Sequence, residues 1–210
     1  MLDDIKNRAG FYVWFDTEYS DLDLERAQLI QVAALITDTS LRRIVPPEDD
    51  VILPVRLPVG EKLSPWVEQN LPALARACRS ELAADLTETD NRLAAYVDAV
   101  VGPPPPAAHE REWPFLAGNS IHADWWLVNR FLPRFGSRLH YRHLDVTSFK
   151  LEWQRVNPDI EFEKENSKII RKYFPEAVLP VAETRHDAYY DLQASIAELA
   201  FYRKHFLKAD

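Results

Sequence analysis

The chain has 210 residues, 47% of them hydrophobic and 28% charged, with a formal net charge of −8, which is enough for one α/β unit with a real core. That acidity excludes strong nonspecific binding to long nucleic acids, which draws its affinity from neutralised phosphates, so a nucleic-acid substrate has to be short and needs metal ions as its source of positive charge. The lone Cys78 excludes an intrachain disulfide and a cysteine zinc cluster, and with no apolar run of spanning length and no signal peptide the expectation is a soluble, cytoplasmic protein.

After a polar lead-in over residues 1–10, Phe11-Tyr12-Val13-Trp14-Phe15-Asp16-Thr17-Glu18 reads as a buried strand that ends in two carboxylates. Side chains alternate across a strand, so Asp16 and Glu18 leave one face and Thr17 the other. Two acids on one face repel each other and resist desolvation, and a divalent cation with hard oxygen ligands relieves both. Leu22 follows in the loop Tyr19–Asp23, either as a loop anchor or as a substrate contact. Leu29–Asp38 is a second strand and Val51–Val55 a third, whose Pro54 marks an edge or strand end. The three predict an antiparallel meander, with Arg42–Asp50 as a polar hairpin loop.

Ser64-Pro65 starts a helix, which Pro72 splits. Thr87 is expected to cap the next, whose Leu93, Val97, Val100 and Val101 share one face. Gly102-Pro103-Pro104-Pro105-Pro106 is a stiff spacer of polyproline type, not a domain boundary, so residues 1–210 are read as a single domain. Pro114–Ala117 is a fourth strand, ending in Gly118-Asn119-Ser120. In the helix that follows, Asp124 shares a face with Leu127, Val128 and Phe131, which sets a carboxylate on the inward stripe. That helix stops at Leu132, before Pro133. His140–Val146 is a short strand leading into a helix capped by Asp145, with Thr147 and Ser148 at its start. Ile169, Ile170, Tyr173 and Phe174 mark one short helix in a charged segment. Ala188, Leu192, Ile196 and Leu199 form the stripe of the last helix. His186 and Asp191 are five residues apart, about 140° around a helix, so they converge only if His186 lies in the loop or first turn.

Asp16, Glu18, Asp124 and Asp191 thus sit at a strand end or on inward helix faces. Four carboxylates exceed the charge one divalent ion needs and suit two, roughly 4 Å apart, that activate water and stabilise a leaving oxygen. A histidine beside them, His186, is suited to take the water's proton.

These motifs carry a specific resemblance. Trp14–Glu18, Leu116–Asp124, His140–Val146, His186–Asp191 and the tail Glu198–Phe206 resemble the oligoribonuclease branch of the DEDDh (DnaQ-like) 3′-to-5′ exonucleases. The resemblance implies an α/β, ribonuclease-H-like fold with a mixed central sheet, an antiparallel meander plus parallel strands, flanked by helices. It implies that Asp16, Glu18, Asp124 and Asp191 hold two Mg²⁺ or Mn²⁺ ions and that His186 is the general base. It implies hydrolysis of short RNA, down to dinucleotides, to nucleoside 5′-monophosphates. By the same resemblance Leu22 is a wedge between bases, and Ser120, Arg142, Thr147 and Ser148 cap the terminal phosphate. The family is a homodimer in which Tyr141 matches a tyrosine reaching into the partner's site. Leu71, beside Pro72, falls where the family usually has a base-stacking histidine, and Tyr190 where many relatives carry another acid. Two other readings stay open: an exonuclease of this type on longer single-stranded DNA or RNA, and a catalytically silent binding homologue.

Overall fold

The computed structural model describes residues 10–103, 113–180 and 187–206. His186 and most of the proline run after Gly102 lie outside them.

β1 (Phe11–Tyr19), β2 (Leu29–Asp38) and β3 (Val51–Pro54) form the expected antiparallel meander. β4 (Phe115–Gly118) joins the other side of β1 in parallel, and β5 (His143–Asp145) joins β4 in parallel. The order is β3-β2-β1-β4-β5, the mixed α/β sheet of a ribonuclease-H-like fold. Parallel neighbours need crossovers. Between β4 and β5 the crossover is α4 (His122–Phe131) and α5 (Pro133–Gly136). Pro54 stands on the edge strand, where a missing N–H costs least, and Val55 continues only as an isolated bridge to Ala84.

β1 is central because its aromatic and β-branched residues suit a sheet covered on both faces. Val13 and Phe15 face one core, with Val32, Ala34 and Leu116. The helix α3 (Leu86–Val101) packs there through the predicted stripe Leu93, Val97, Val100 and Val101, alongside Val128 and Phe135. Trp14, Ala33, Leu35 and Ala117 face a second core under α6 (Val146–Val156), α7 (Ser167–Tyr173) and α8 (Ala188–Phe206). Leu192, Ile196 and Leu199 of α8 are fully buried there, each worth about 1.5–3 kcal/mol of burial. Trp14 Nε1 donates to Thr37 Oγ1 at 2.9 Å, so the buried indole leaves no polar atom unmatched.

A third, smaller cluster of Ile30, Leu63, Val67, Leu71, Ala75 and Cys78 lies under α1 (Pro65–Asn70) and α2 (Pro72–Ala77). Ser64 caps α1 and Pro72 splits the pair, as predicted. Thr87 does not cap α3. The helix begins at Leu86, and Asp85 caps it by accepting from the Glu88 N–H at 2.8 Å. A cap oxygen serves the N–H two or three residues ahead, and Asp85 is the side chain at that distance from Glu88. Gly102 ends α3 at φ 97°, a conformation that favours glycine.

Candidate active site

The alternation of β1 decides which side of the sheet each acid serves. Asp16 and Glu18 follow Trp14 onto the face covered by α8, whereas Thr17 follows Phe15 towards α4. At the start of α8 the Asp187 carboxylate accepts from the Tyr190 N–H at 3.0 Å, and the Asp191 N–H bonds the Asp187 carbonyl at 2.9 Å. Asp191 is thereby held in the first turn, with a carboxylate oxygen within 4.8 Å of those of Asp16 and Glu18. Asp124 is buried in the first turn of α4 and accepts from Thr17 Oγ1 at 2.7 Å. The structure therefore gathers three of the four predicted acids within that distance, and the fourth, Asp124, hydrogen-bonded to Thr17, lies near enough for its charge to act on Asp16.

The acids are electrostatically frustrated. Removal from water, then the charges of Asp124, Asp191 and Glu18, hold Asp16 well above the usual carboxylate range. Removal from water, then Asp191, Asp187 and Asp124, push Glu18 up to about 8. Burial raises Asp124 to about 7, against the Thr17 hydrogen bond. Converging hard oxygen donors with more negative charge than their surroundings relieve fit a divalent cation. Asp16, Glu18 and Asp191 are the donors so placed, with Asp124 adding its charge nearby.

One side chain that the sequence did not reveal completes the cluster. Lys164 Nζ lies 2.6 Å from Asp191 Oδ1. It projects from the loop before α7, and the Tyr190 hydroxyl donates to its backbone carbonyl at 3.1 Å. Burial works to lower the Lys164 pKa, but Asp191, Asp16 and Glu198 raise it on balance.

The loop after β4 builds a second polar region. A Cβ on Gly118 would lie 2.9 Å from the Phe15 carbonyl oxygen and 3.0 Å from Ile121 Cδ1, so only glycine lets β4 end against β1. Ser120 takes a left-handed φ of 50°. Its N–H donates to Asp145 Oδ1 at 3.0 Å and Thr147 Oγ1 at 2.8 Å, and the two hydroxyls meet at 3.2 Å. Asp145 also caps α6, accepting from the Thr147 N–H at 2.9 Å. Asn119 Nδ2 ties this loop to α8 by donating to Ser195 Oγ at 3.0 Å and Glu198 Oε2 at 2.9 Å. The Arg142 guanidinium lies 5.1 Å from the centre of the exposed Tyr141 ring. Ser148 lines an apolar cavity of about 480 Å³ with Phe149, Tyr202 and Phe206. Leu22 is 89% exposed and anchors nothing in the core. Leu71 is buried under α1 and α2.

A buried network braces α8. Arg43 and Asp50, from the hairpin between β2 and β3, form an ion pair with side chains 6% and 0% exposed. Tyr189 donates to Asp50 Oδ2 at 2.6 Å, and Arg43 Nη2 donates to Tyr189 at 3.1 Å and to Gln193 Oε1 at 3.3 Å. Tyr189 and Gln193 stand two residues either side of Asp191. Among the described residues no helix is long and apolar enough to cross a membrane.

No family profile matches the chain. Curated proteins do. The mitochondrial oligoribonuclease of Bos taurus is 29% identical over 97% of this chain and 76% of its own length. The oligoribonuclease of Mannheimia succiniciproducens is 30% identical over 94% of both chains. Among solved structures, an Exonuclease I from Methylocaldum szegediense superposes on 94% of the chain at a TM-score of 0.67 and 19% identity. The cell-death related nuclease CRN-4 covers 94% of the chain at a TM-score of 0.62 and 12% identity. The chain spans 41% of that Exonuclease I and 65% of CRN-4, and these likenesses show the shared fold. With 30% identity sustained over nearly all of both sequences, the chain belongs to the oligoribonuclease family of 3′-to-5′ exonucleases.

Proposed function

We propose that residues 1–210 work as one exonuclease domain that degrades short oligoribonucleotides, down to dinucleotides, to nucleoside 5′-monophosphates. The convergence of Asp16 and Glu18 from β1 with Asp191 from α8 carries this reading. With Asp124 these residues would hold two divalent ions, Mg²⁺ or Mn²⁺. Ions held there would supply Lewis acidity for phosphodiester hydrolysis. His186 takes the proton of that water, since an imidazole titrates near operating pH. The water oxygen bonds to phosphorus as the bond to the 3′ oxygen of the preceding nucleotide breaks, and that oxygen leaves with the bonding pair and takes up a proton from solvent.

The remaining residues orient the substrate. The hydroxyls of Ser120, Thr147 and Ser148 and the Arg142 guanidinium receive the terminal phosphate, and the meeting of Ser120 with Thr147 supports this. Leu22, fully offered to solvent, wedges between bases. Tyr141 reaches into the site of a second copy in a homodimer, and the cytoplasm is the working compartment.

The test is product analysis on RNAs of two to ten nucleotides with Mn²⁺. The expected products are nucleoside 5′-monophosphates, with turnover lost in Asp16→Ala and Asp191→Ala; full activity in either variant refutes the reading. A second reading, action on longer single strands, is favoured by Leu71, whose buried aliphatic side chain offers no stacking ring. Comparing kcat/KM on a dinucleotide and on a strand of about 20 nucleotides separates the two.

A further inference from the structure

Lys164 is the one cation in direct contact with the acids of the candidate site among the described residues. It belongs to the charged segment between α6 and α7. Its placement is built. Phe162, two residues earlier, is buried in the core under α8, and the Lys164 N–H bonds the Phe162 carbonyl at 3.0 Å. Its own carbonyl is held by the Tyr190 hydroxyl, from the residue next to Asp191. Two backbone contacts therefore aim the ammonium at Asp191 Oδ1. A cavity of about 800 Å³, lined by Lys150 and residues 161–168, opens beside it.

We propose that Lys164 is the resident counter-cation of the acidic cluster: it neutralises Asp191 until a divalent ion takes that carboxylate, and it then moves into the neighbouring cavity. This rests on the metal reading above. Lysine and metal ion compete for the same carboxylate, since it cannot give its full charge to two cations at once. The lysine thus lowers divalent affinity while it stabilises the metal-free fold, in which like charges would otherwise face one another unrelieved. It makes Lys164 a residue that sets how much free metal the enzyme needs.

The experiment is calorimetric titration of Mn²⁺ into metal-stripped wild type, Lys164→Gln and Lys164→Arg, with thermal unfolding of each in EDTA. Lys164→Gln is expected to bind Mn²⁺ on the order of fivefold to tenfold more tightly, the scale of one partly exposed charge pair, and to melt lower without metal. Lys164→Arg keeps the charge and is expected to stay near wild type. Tyr190→Phe frees the Lys164 carbonyl, and affinity is expected to move in the same direction as in Lys164→Gln. Mn²⁺ binding with equal affinity in wild type and Lys164→Gln overturns the lysine proposal and leaves the metal site standing. No Mn²⁺ binding by either overturns both.

Discussion

Glu18→Gln tests the electrostatic reasoning directly, before any catalysis is measured. Glu18 moves from an ordinary carboxyl value of 4.5 to about 8 in the folded, metal-free protein. Below pH 4.5 both states carry the proton and the native state keeps its full advantage. Between 4.5 and 8 the unfolded chain releases the proton while the native chain retains it, so stability falls as pH rises. Each pH unit in that window costs the native state about 1.4 kcal/mol, about 5 kcal/mol in all. Glu18 is partly exposed and its neighbours relax, so about 2–3 kcal/mol is the working figure. That is a large share of a typical stability of about 5–15 kcal/mol. The assay is urea unfolding in EDTA from pH 5 to pH 8.5. The wild-type midpoint should fall across this range. Glu18→Gln should flatten the fall, with Asp16 supplying what slope remains, and should exceed wild type at pH 8 by about 2–3 kcal/mol. Mn²⁺ added to wild type at pH 8 should restore the midpoint. Parallel curves for wild type and variant would refute the argument.

Three further outcomes follow from the same site. His186→Ala should lower kcat on a dinucleotide by about 10²–10⁴ while calorimetric Mn²⁺ binding stays unchanged; loss of binding would make it a ligand instead. Arg142→Ala should raise KM for dinucleotides more than for longer chains, and equal losses on both would remove it from the terminal phosphate. Gly118→Ala should cost about 1–3 kcal/mol in urea unfolding, because its methyl would press on the Phe15 carbonyl, and an unchanged midpoint would mean that β4 can yield.

Sequence periodicity revealed whatever repeats. The aromatic run of β1 and the stripe of α8 are one-dimensional signals, so Asp16 and Glu18 could be set on one face of β1, and Asp191 in the last helix, in advance. The side of the sheet that Asp124 serves was less visible. Thr17 looks like a spacer between two acids, and only the packing of α4 turns its hydroxyl into that carboxylate's partner. The cap of α3 shows the same limit at short range: Asp85, Thr87, Glu88 and Asp90 all suit a helix start, and the core packing of Leu93 and Val97 selects the register. Lys164 was invisible because it lies in an aperiodic, charged stretch, where the burial of Phe162 and the Tyr190 hydroxyl bond fix the direction of the chain and neither leaves a pattern along it. Arg43 and Asp50 were read as a polar hairpin, since pairing that buries both charges leaves no pattern along the chain.

That hairpin has an evolutionary consequence. A loop between two sheet strands is normally the part of a protein freest to change length. This one grips α8 through Tyr189 and Gln193, on either side of an acid of the site. A residue inserted between Arg43 and Asp50 would shift both grips together and carry Asp191 with them. Chimaeras that exchange the loop between relatives should therefore work only when the opening turns of the last helix travel with it.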